Sequence, residues 1–129
     1  IISLLILLIT IVPVAFARYG KTFKYKYLEE PRTLIKYYEP WGRRAQWTHE
    51  NSFESFIIFT PGVLVTILLE LNGYSLSNLI LQAVILYPIF RIFYIIFYLM
   101  NKPILRVFFW GGSLGCSLLI YFCCLFSVV

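Results

Sequence analysis

At residues 76–100 the sequence reads LSNLILQAVILYPIFRIFYIIFYLM, and after the short segment Asn101–Pro103 it continues at residues 104–129 as ILRVFFWGGSLGCSLLIYFCCLFSVV. Each run exceeds the roughly 20 helical residues that cross a hydrocarbon core of about 30 Å. Strands of a membrane barrel would alternate apolar and polar residues over about 10 positions, whereas these runs are continuously apolar. We therefore expect two adjacent membrane-spanning α-helices, each of which satisfies its own backbone hydrogen bonds.

Two further apolar runs precede this pair, at residues 1–17 and 53–71. The chain is 60% hydrophobic and 13% charged, against about 45–50% and about 25% in soluble domains. Ala15-Phe16-Ala17 also resembles a signal-peptidase site, although we favour a first helix that is retained. The sequence thus predicts one domain over residues 1–129, an all-α membrane protein built as a four-transmembrane-helix bundle. Its helices are expected at about 1–17, 43–71, 75–100 and 103–129.

The distribution of positive charge predicts the orientation in the membrane. Eight of the eleven Lys and Arg residues lie between Arg18 and Arg44, in or beside the predicted connection 18–42. Lys102 marks the last connection, whereas residues 72–75 carry no charge. Because cytoplasmic connections carry an excess of Lys and Arg, both basic connections are expected on the cytoplasmic-equivalent side, in contact with anionic lipids. Topology accounts for this charge, so we expect no nucleic-acid partner; the organelle is not indicated.

The residue types that usually bind metals are sparse and poorly spaced. Cys116, Cys123 and Cys124 all lie in the last apolar run, with no CxxC or Cys/His pattern. His49 is the single histidine of the chain. We therefore predict no metal site.

Polar and ionisable residues gather towards the basic end of the predicted bundle, where such groups within spans have a partner or a function. Their spacing places several of them on shared helix faces. On the last span, Trp110 follows Arg106 by one turn. Arginines in such a cluster would hold carboxylates through paired N–H donors and would favour the thiolate form of a nearby thiol. The alternative is structural: a buried ion pair between Arg91 and Glu54, with tyrosines that anchor the interface. The cluster comprises Asn51, Glu54, Tyr87, Arg91, Tyr94, Tyr98 and Arg106.

A GxxxG pair lies on the predicted fourth helix, at Gly111 and Gly115. Two glycines at this spacing let another helix approach closely in a membrane. The spacing alone leaves open whether that contact lies inside the subunit or between subunits.

Two blocks of the sequence resemble a known family. Residues 44–56, RAQWTHENSFESF, are similar to the RAxxAHxNxxE(x)F pattern that begins the second helix of MAPEG proteins, the membrane-associated proteins of eicosanoid and glutathione metabolism. Residues 91–98, RIFYIIFY, with the turn and Leu105-Arg106 that follow, are similar to the family's RxxYxxxY and LR elements. The order and spacing of the blocks and the number of spans also agree.

The resemblance implies a homotrimer of four-helix protomers that binds glutathione, as a co-substrate, between neighbours near the cytosolic face. A lipophilic second substrate would enter from the bilayer. By position, the resemblance implies that Arg106 stabilises the glutathione thiolate and acts as the catalytic residue. The glutathione-binding residues would be Asn51, Glu54, Arg91, Tyr94 and Tyr98, with Arg44 as an additional candidate.

One position departs from the family pattern. Eicosanoid-type members carry an arginine four residues before the motif asparagine, and Trp47 occupies that position here. Arg44, one turn earlier, is the candidate replacement. Two functions therefore remain open: a glutathione-dependent membrane transferase or peroxidase that acts on lipophilic electrophiles, or a non-catalytic accessory subunit of a larger membrane assembly.

Overall fold

Helices form every regular element in the part of the chain that the computed structural model describes, residues 1–19 and 32–128. α1 and α2 together form the first span, with a break at Thr10. All four spans are long and apolar enough to cross a membrane, so the predicted four-span all-α architecture is confirmed. The elements are α1 Ile2–Ile9, α2 Ile11–Tyr19, a 3₁₀-helix Thr33–Tyr37, α3 Pro40–Leu71, α4 Asn78–Leu99 and α5 Pro103–Val128.

Local capping shifts two helix starts from the predicted positions. α3 begins at Pro40 rather than near residue 43, because proline suits the first helical position, where no N–H donor is needed. α4 begins at Asn78 rather than near residue 75, since the Ser77 hydroxyl accepts a hydrogen bond from the Leu79 N–H at 3.3 Å and caps the helix. Of the predicted connection 18–42, residues 20–31 lie outside the described part of the chain.

A tight turn joins α4 to α5. Asn101 adopts a left-handed conformation with φ 58°, which asparagine tolerates better than most residues. The Lys102 N–H then donates to the Phe97 carbonyl at 2.9 Å and closes the end of α4. Such a short connection makes the two helices antiparallel neighbours. As a result α3 and α5 begin, and α4 ends, at one face of the bundle, which we term the basic face.

The core lies in the half of the bundle away from the basic face. Phe59 of α3 stacks on Tyr87 of α4, with ring centroids 3.7 Å apart. Gly62 lets α5 approach α3 closely, since a Cβ at this position would lie 3.3 Å from Ile120. In an apolar 18-residue stretch of each span, 17% to 28% of the residues are buried, so most of this surface is available to lipid or to other subunits. The core cluster contains Phe59, Ile80, Ala83, Tyr87, Cys116, Ile120 and Cys124.

The first span packs on α3 through one close backbone approach and one polar contact. A Cβ at Gly42 would lie 2.9 Å from the Cβ of Ala17, so glycine is what permits this contact. The Nδ1 atom of His49 lies 2.8 Å from the Thr10 hydroxyl, which donates to the Leu7 carbonyl at 2.6 Å. With its hydroxyl hydrogen so used, Thr10 accepts from His49. The histidine therefore serves the contact between two spans.

Candidate functional site

A buried arginine links α4 to α3 below the basic face. The Arg91 side chain is 2% exposed, and its Nη1 and Nη2 atoms donate to Asn51 Oδ1 at 3.2 Å and to Ser52 Oγ at 3.0 Å. The guanidinium also lies over the Tyr94 ring, 4.4 Å from its centroid. A charge in this environment is tolerated because both Nη atoms donate to protein acceptors and an aromatic face neutralises part of its field.

Asn51 connects this arginine to the carboxylate of Glu54. Because Arg91 uses Oδ1 of Asn51, the amide nitrogen of Asn51 is turned towards Glu54, whose Oε2 it reaches at 3.4 Å. Glu54 itself is exposed. The hydrogen bonds of Arg91 go to a neutral amide and a neutral hydroxyl, so the arginine is linked to Glu54 through Asn51. This indirect link takes the place of the direct ion pair between Arg91 and Glu54 that the sequence had suggested as a structural alternative.

A second arginine lies on α5 in a different setting. The Arg106 guanidinium lies over the Tyr98 ring, 4.5 Å from its centroid, and Tyr98 in turn packs edge-on against Tyr94 at 5.5 Å. Arg106 is half-buried, and among the described residues its guanidinium makes no hydrogen bond. Within residues 1–19 and 32–128, no protein acceptor therefore competes with a ligand for its N–H donors.

Arg106, Tyr98 and the Tyr94 ring face a cavity of about 250 Å³ near the basic face. Four predicted site residues line it, and a cleft of about 90 Å³ adjoins it. Both spaces share Asn51 and Trp110, while Glu54 lines the cleft. The cavity is lined by Trp47, Asn51, Tyr94, Tyr98, Arg106, Val107 and Trp110.

The remaining predicted site residues lie away from the cavity wall. Arg91 lies behind Asn51 and supports it from inside the bundle. Arg44 donates through Nε to the Leu99 carbonyl at 3.4 Å, where a positive charge complements the exposed carbonyls that end α4. Tyr87 lies one turn deeper than Arg91, where its hydroxyl contacts Ser55 at 2.8 Å.

Besides Trp47, which the family pattern had already singled out, three residues that contribute to the site were not among the predicted site residues. Ser52 supplies the second acceptor of Arg91, and Val107 and Trp110 line the cavity. The spacing of Trp110, four residues after Arg106, places it on the same helix face and was the one available signal. Ser52 and Val107 carry no such pattern, since their importance depends on which helix packs opposite them.

The arrangement suits a ligand that is anionic at one point and polar elsewhere. Arg106 offers a negative charge N–H donors that no described residue uses, and the amide and phenol groups of the wall offer further hydrogen bonds. Glu54, at the adjoining cleft, supplies a carboxylate for a cationic group. Trp110 and Val107 add an apolar wall, so the cavity combines a polar recognition surface with a surface for a lipophilic molecule.

Comparison with known proteins adds one result. A family model described as the MAPEG family matches residues 1–126, nearly the whole chain. The match includes both motif blocks and, but for the last residues of α5, all four spans. No curated protein and no solved structure matches the chain.

Proposed function

The chain belongs to the MAPEG family, the membrane-associated proteins of eicosanoid and glutathione metabolism, and on this premise we propose that it is a glutathione-dependent transferase or peroxidase of lipophilic electrophiles. One observation carries the proposal. Arg106 presents a guanidinium without hydrogen-bond partners among the described residues to a cavity whose wall also contains Asn51, Tyr94 and Tyr98. Such a group is available to bind a thiolate, whereas Arg91 already donates hydrogen bonds to Asn51 and Ser52.

The residues fit glutathione by chemical type. Arg106 would hold the sulfur as the thiolate, because a nearby cation favours the charged form of a thiol. Asn51 has an amide suited to the peptide groups of the ligand, and Glu54 has a carboxylate suited to its ammonium group. Arg91 would act as a positioning residue, since its hydrogen bond to Oδ1 sets the orientation of the Asn51 amide.

The proposal includes assembly of a homotrimer with sites between neighbours, the basic face being on the cytoplasmic-equivalent side. The cavity of about 250 Å³ falls below the range of about 300–1,000 Å³ typical of small-molecule pockets, which suits a site completed by a second copy. The GxxxG pair adds support, because a Cβ at Gly111 or Gly115 would meet nothing within 4 Å among the described residues. A small-residue face of this kind can accept a helix from a neighbour.

A titration of the detergent-solubilised protein with glutathione tests the proposal. We expect saturable binding and an ultraviolet absorbance band from the glutathione thiolate. Arg106→Ala should remove the thiolate band and reduce turnover about 100-fold or more, the usual effect of deleting a donor that stabilises a developing anion. Arg44→Ala is the matched control: it also removes an arginine near the basic face, but one that donates to Leu99 instead of lining the cavity, so the band should persist. A full thiolate band in Arg106→Ala would contradict the assignment.

Trp47 favours a second candidate, a non-catalytic accessory subunit of a larger membrane assembly. Its side chain is 44% exposed and lines the cavity, at the position where eicosanoid-type members carry an arginine. A cavity without that arginine has one fewer group for a glutathione carboxylate. A folded oligomer that binds no glutathione, and that purifies from native membranes with defined partner subunits, would support this candidate over the enzyme.

A further inference from the structure

Trp110 occupies the boundary between the cavity and the adjoining cleft. It lines both spaces, and 41% of its surface is exposed. Its backbone carbonyl accepts a hydrogen bond from Ser113 at 2.8 Å, which ties its main chain to the next turn of α5. Among the described residues its indole N–H has no hydrogen-bond partner. The ring thus presents an aromatic surface to the cavity.

The directions of the helices distinguish Trp110 from Trp47, the other tryptophan of the cavity wall. Both α3 and α5 begin at the basic face. Trp47 precedes Asn51 by four residues and therefore lies roughly 6 Å nearer that face. Trp110 follows Arg106 by four residues and lies roughly 6 Å nearer the membrane centre. Val107, next to Arg106 and 57% exposed, continues the apolar surface on this side.

We infer that Trp110 is a specificity-determining residue and that the preferred electrophiles carry an aromatic ring, which stacks on its indole. This inference rests on the proposed glutathione-dependent function and names the substrate class of the same site. A molecule that enters from the bilayer meets Trp110 and Val107 before it reaches Arg106, where the sulfur would be held. An indole offers a rigid planar surface, and offset or edge-to-face contacts between aromatic rings add affinity beyond the apolar area they bury.

An aryl enone makes the chemistry explicit. The thiol releases its proton to solvent and becomes a thiolate beside Arg106. The sulfur forms a bond to the β-carbon of the enone, and the electron pair of the carbon–carbon double bond moves to the carbonyl to give an enolate. The α-carbon then takes one proton from solvent, so the product is a neutral thioether. Proton and electron counts balance without an oxidant or reductant.

The test compares two enones in the intact, solubilised oligomer with glutathione: benzylideneacetone, which carries a phenyl ring, and a straight-chain alkyl enone of equal carbon number. Because the intrinsic reactivity of each enone is the same for every variant, the change in the ratio of their kcat/KM values on substitution isolates recognition of the ring. Trp110→Leu should lower this ratio about twofold to tenfold, the range that corresponds to the extra energy of an aromatic pair. Trp110→Phe should keep most of the preference, and Trp47→Leu should leave the ratio unchanged.

The outcomes separate this inference from the function on which it rests. If the unmodified protein shows no thiolate band and conjugates neither enone, the glutathione-dependent function itself fails, and this inference fails with it. If the thiolate band and turnover are present but Trp110→Leu lowers both rates equally, Trp110 does not select the ring and the inference alone is overturned. Dissociation of the oligomer in Trp110→Leu, without a change in the ratio, would instead assign Trp110 to a contact between copies and would also overturn it.

Discussion

Arg91 and Arg106 lie on adjacent antiparallel helices and contact adjacent tyrosines, yet the structure treats them differently. Their guanidinium groups lie 4.4 Å and 4.5 Å from the ring centroids of Tyr94 and Tyr98. Arg91 is buried and donates to Asn51 and Ser52, whereas Arg106 is half-buried and makes no hydrogen bond among the described residues. Contact with an aromatic ring therefore does not distinguish an arginine that links two helices from one whose guanidinium has no hydrogen-bond partner among the described residues.

Replacement of each arginine by alanine should give the largest contrast between the two sites, measured as unfolding of the detergent-solubilised protein. Arg91→Ala removes two hydrogen bonds from a charged donor and should lower the free energy of unfolding by about 3–5 kcal/mol. Arg106→Ala removes the contact with the Tyr98 ring and should lower the free energy of unfolding by about 0.5–1 kcal/mol, while we expect it to remove the thiolate signal.

Arg91→Lys serves as the control if Arg91→Ala does not fold. Lysine keeps the charge but cannot donate to two acceptors in the fixed geometry of a guanidinium, so its stability should fall between those of the wild type and Arg91→Ala. Equal loss of stability in Arg91→Ala and Arg106→Ala would remove the distinction between a structural and a ligand-binding arginine.

Two neighbouring glycines on α5 test how closely α4 and α5 pack near Arg91. A Cβ at Gly112 would lie 2.7 Å from the ring of Phe90, the residue that precedes Arg91. Gly112→Ala should therefore force α4 and α5 apart and cost about 1–3 kcal/mol of stability, as is usual for overpacking.

Gly111→Ala is the matched control, because a Cβ there meets nothing within 4 Å in the described part of the chain. The folded protomer should retain its thermal stability, while the fraction of trimer in size-exclusion chromatography with light scattering should decrease if the GxxxG pair contacts a neighbour. Similar thermal destabilisation by both substitutions would show that α4 and α5 do not pack as described.

The smallest effect is expected for Tyr98→Phe. This change removes the hydroxyl and keeps the aromatic ring over which Arg106 lies, so the kcat/KM for glutathione conjugation should fall less than about threefold. Tyr98→Leu removes the ring and with it a contact worth about 0.5–1 kcal/mol that holds the Arg106 guanidinium in place. We expect the thiolate band to be weaker as a result. If Tyr98→Phe were as damaging as Tyr98→Leu, the phenol itself would be the functional group and the ring contact would be incidental.

The amino-acid sequence by itself determined the number of spans and the residues that gather at the basic face. Continuous apolar runs of about 20 residues have one stable solution in lipid, because each backbone polar group must be bonded within its own helix. Short turns such as Asn101–Pro103 then force antiparallel neighbours. Helical periodicity also placed Asn51 with Glu54, and Arg91 with Tyr94 and Tyr98, on shared faces.

The tertiary structure alone decided which of these residues face the cavity. Sequence periodicity describes one helix at a time, so it could not show that α3 presents Asn51 and Ser52 to Arg91 while α5 presents Arg106 to Tyr98. Those pairings depend on the rotation and depth at which the helices pack. In lipid, close side-chain packing and hydrogen bonds between helices decide that arrangement. One of these hydrogen bonds joins Arg91 to Asn51, which lie 40 positions apart in the chain.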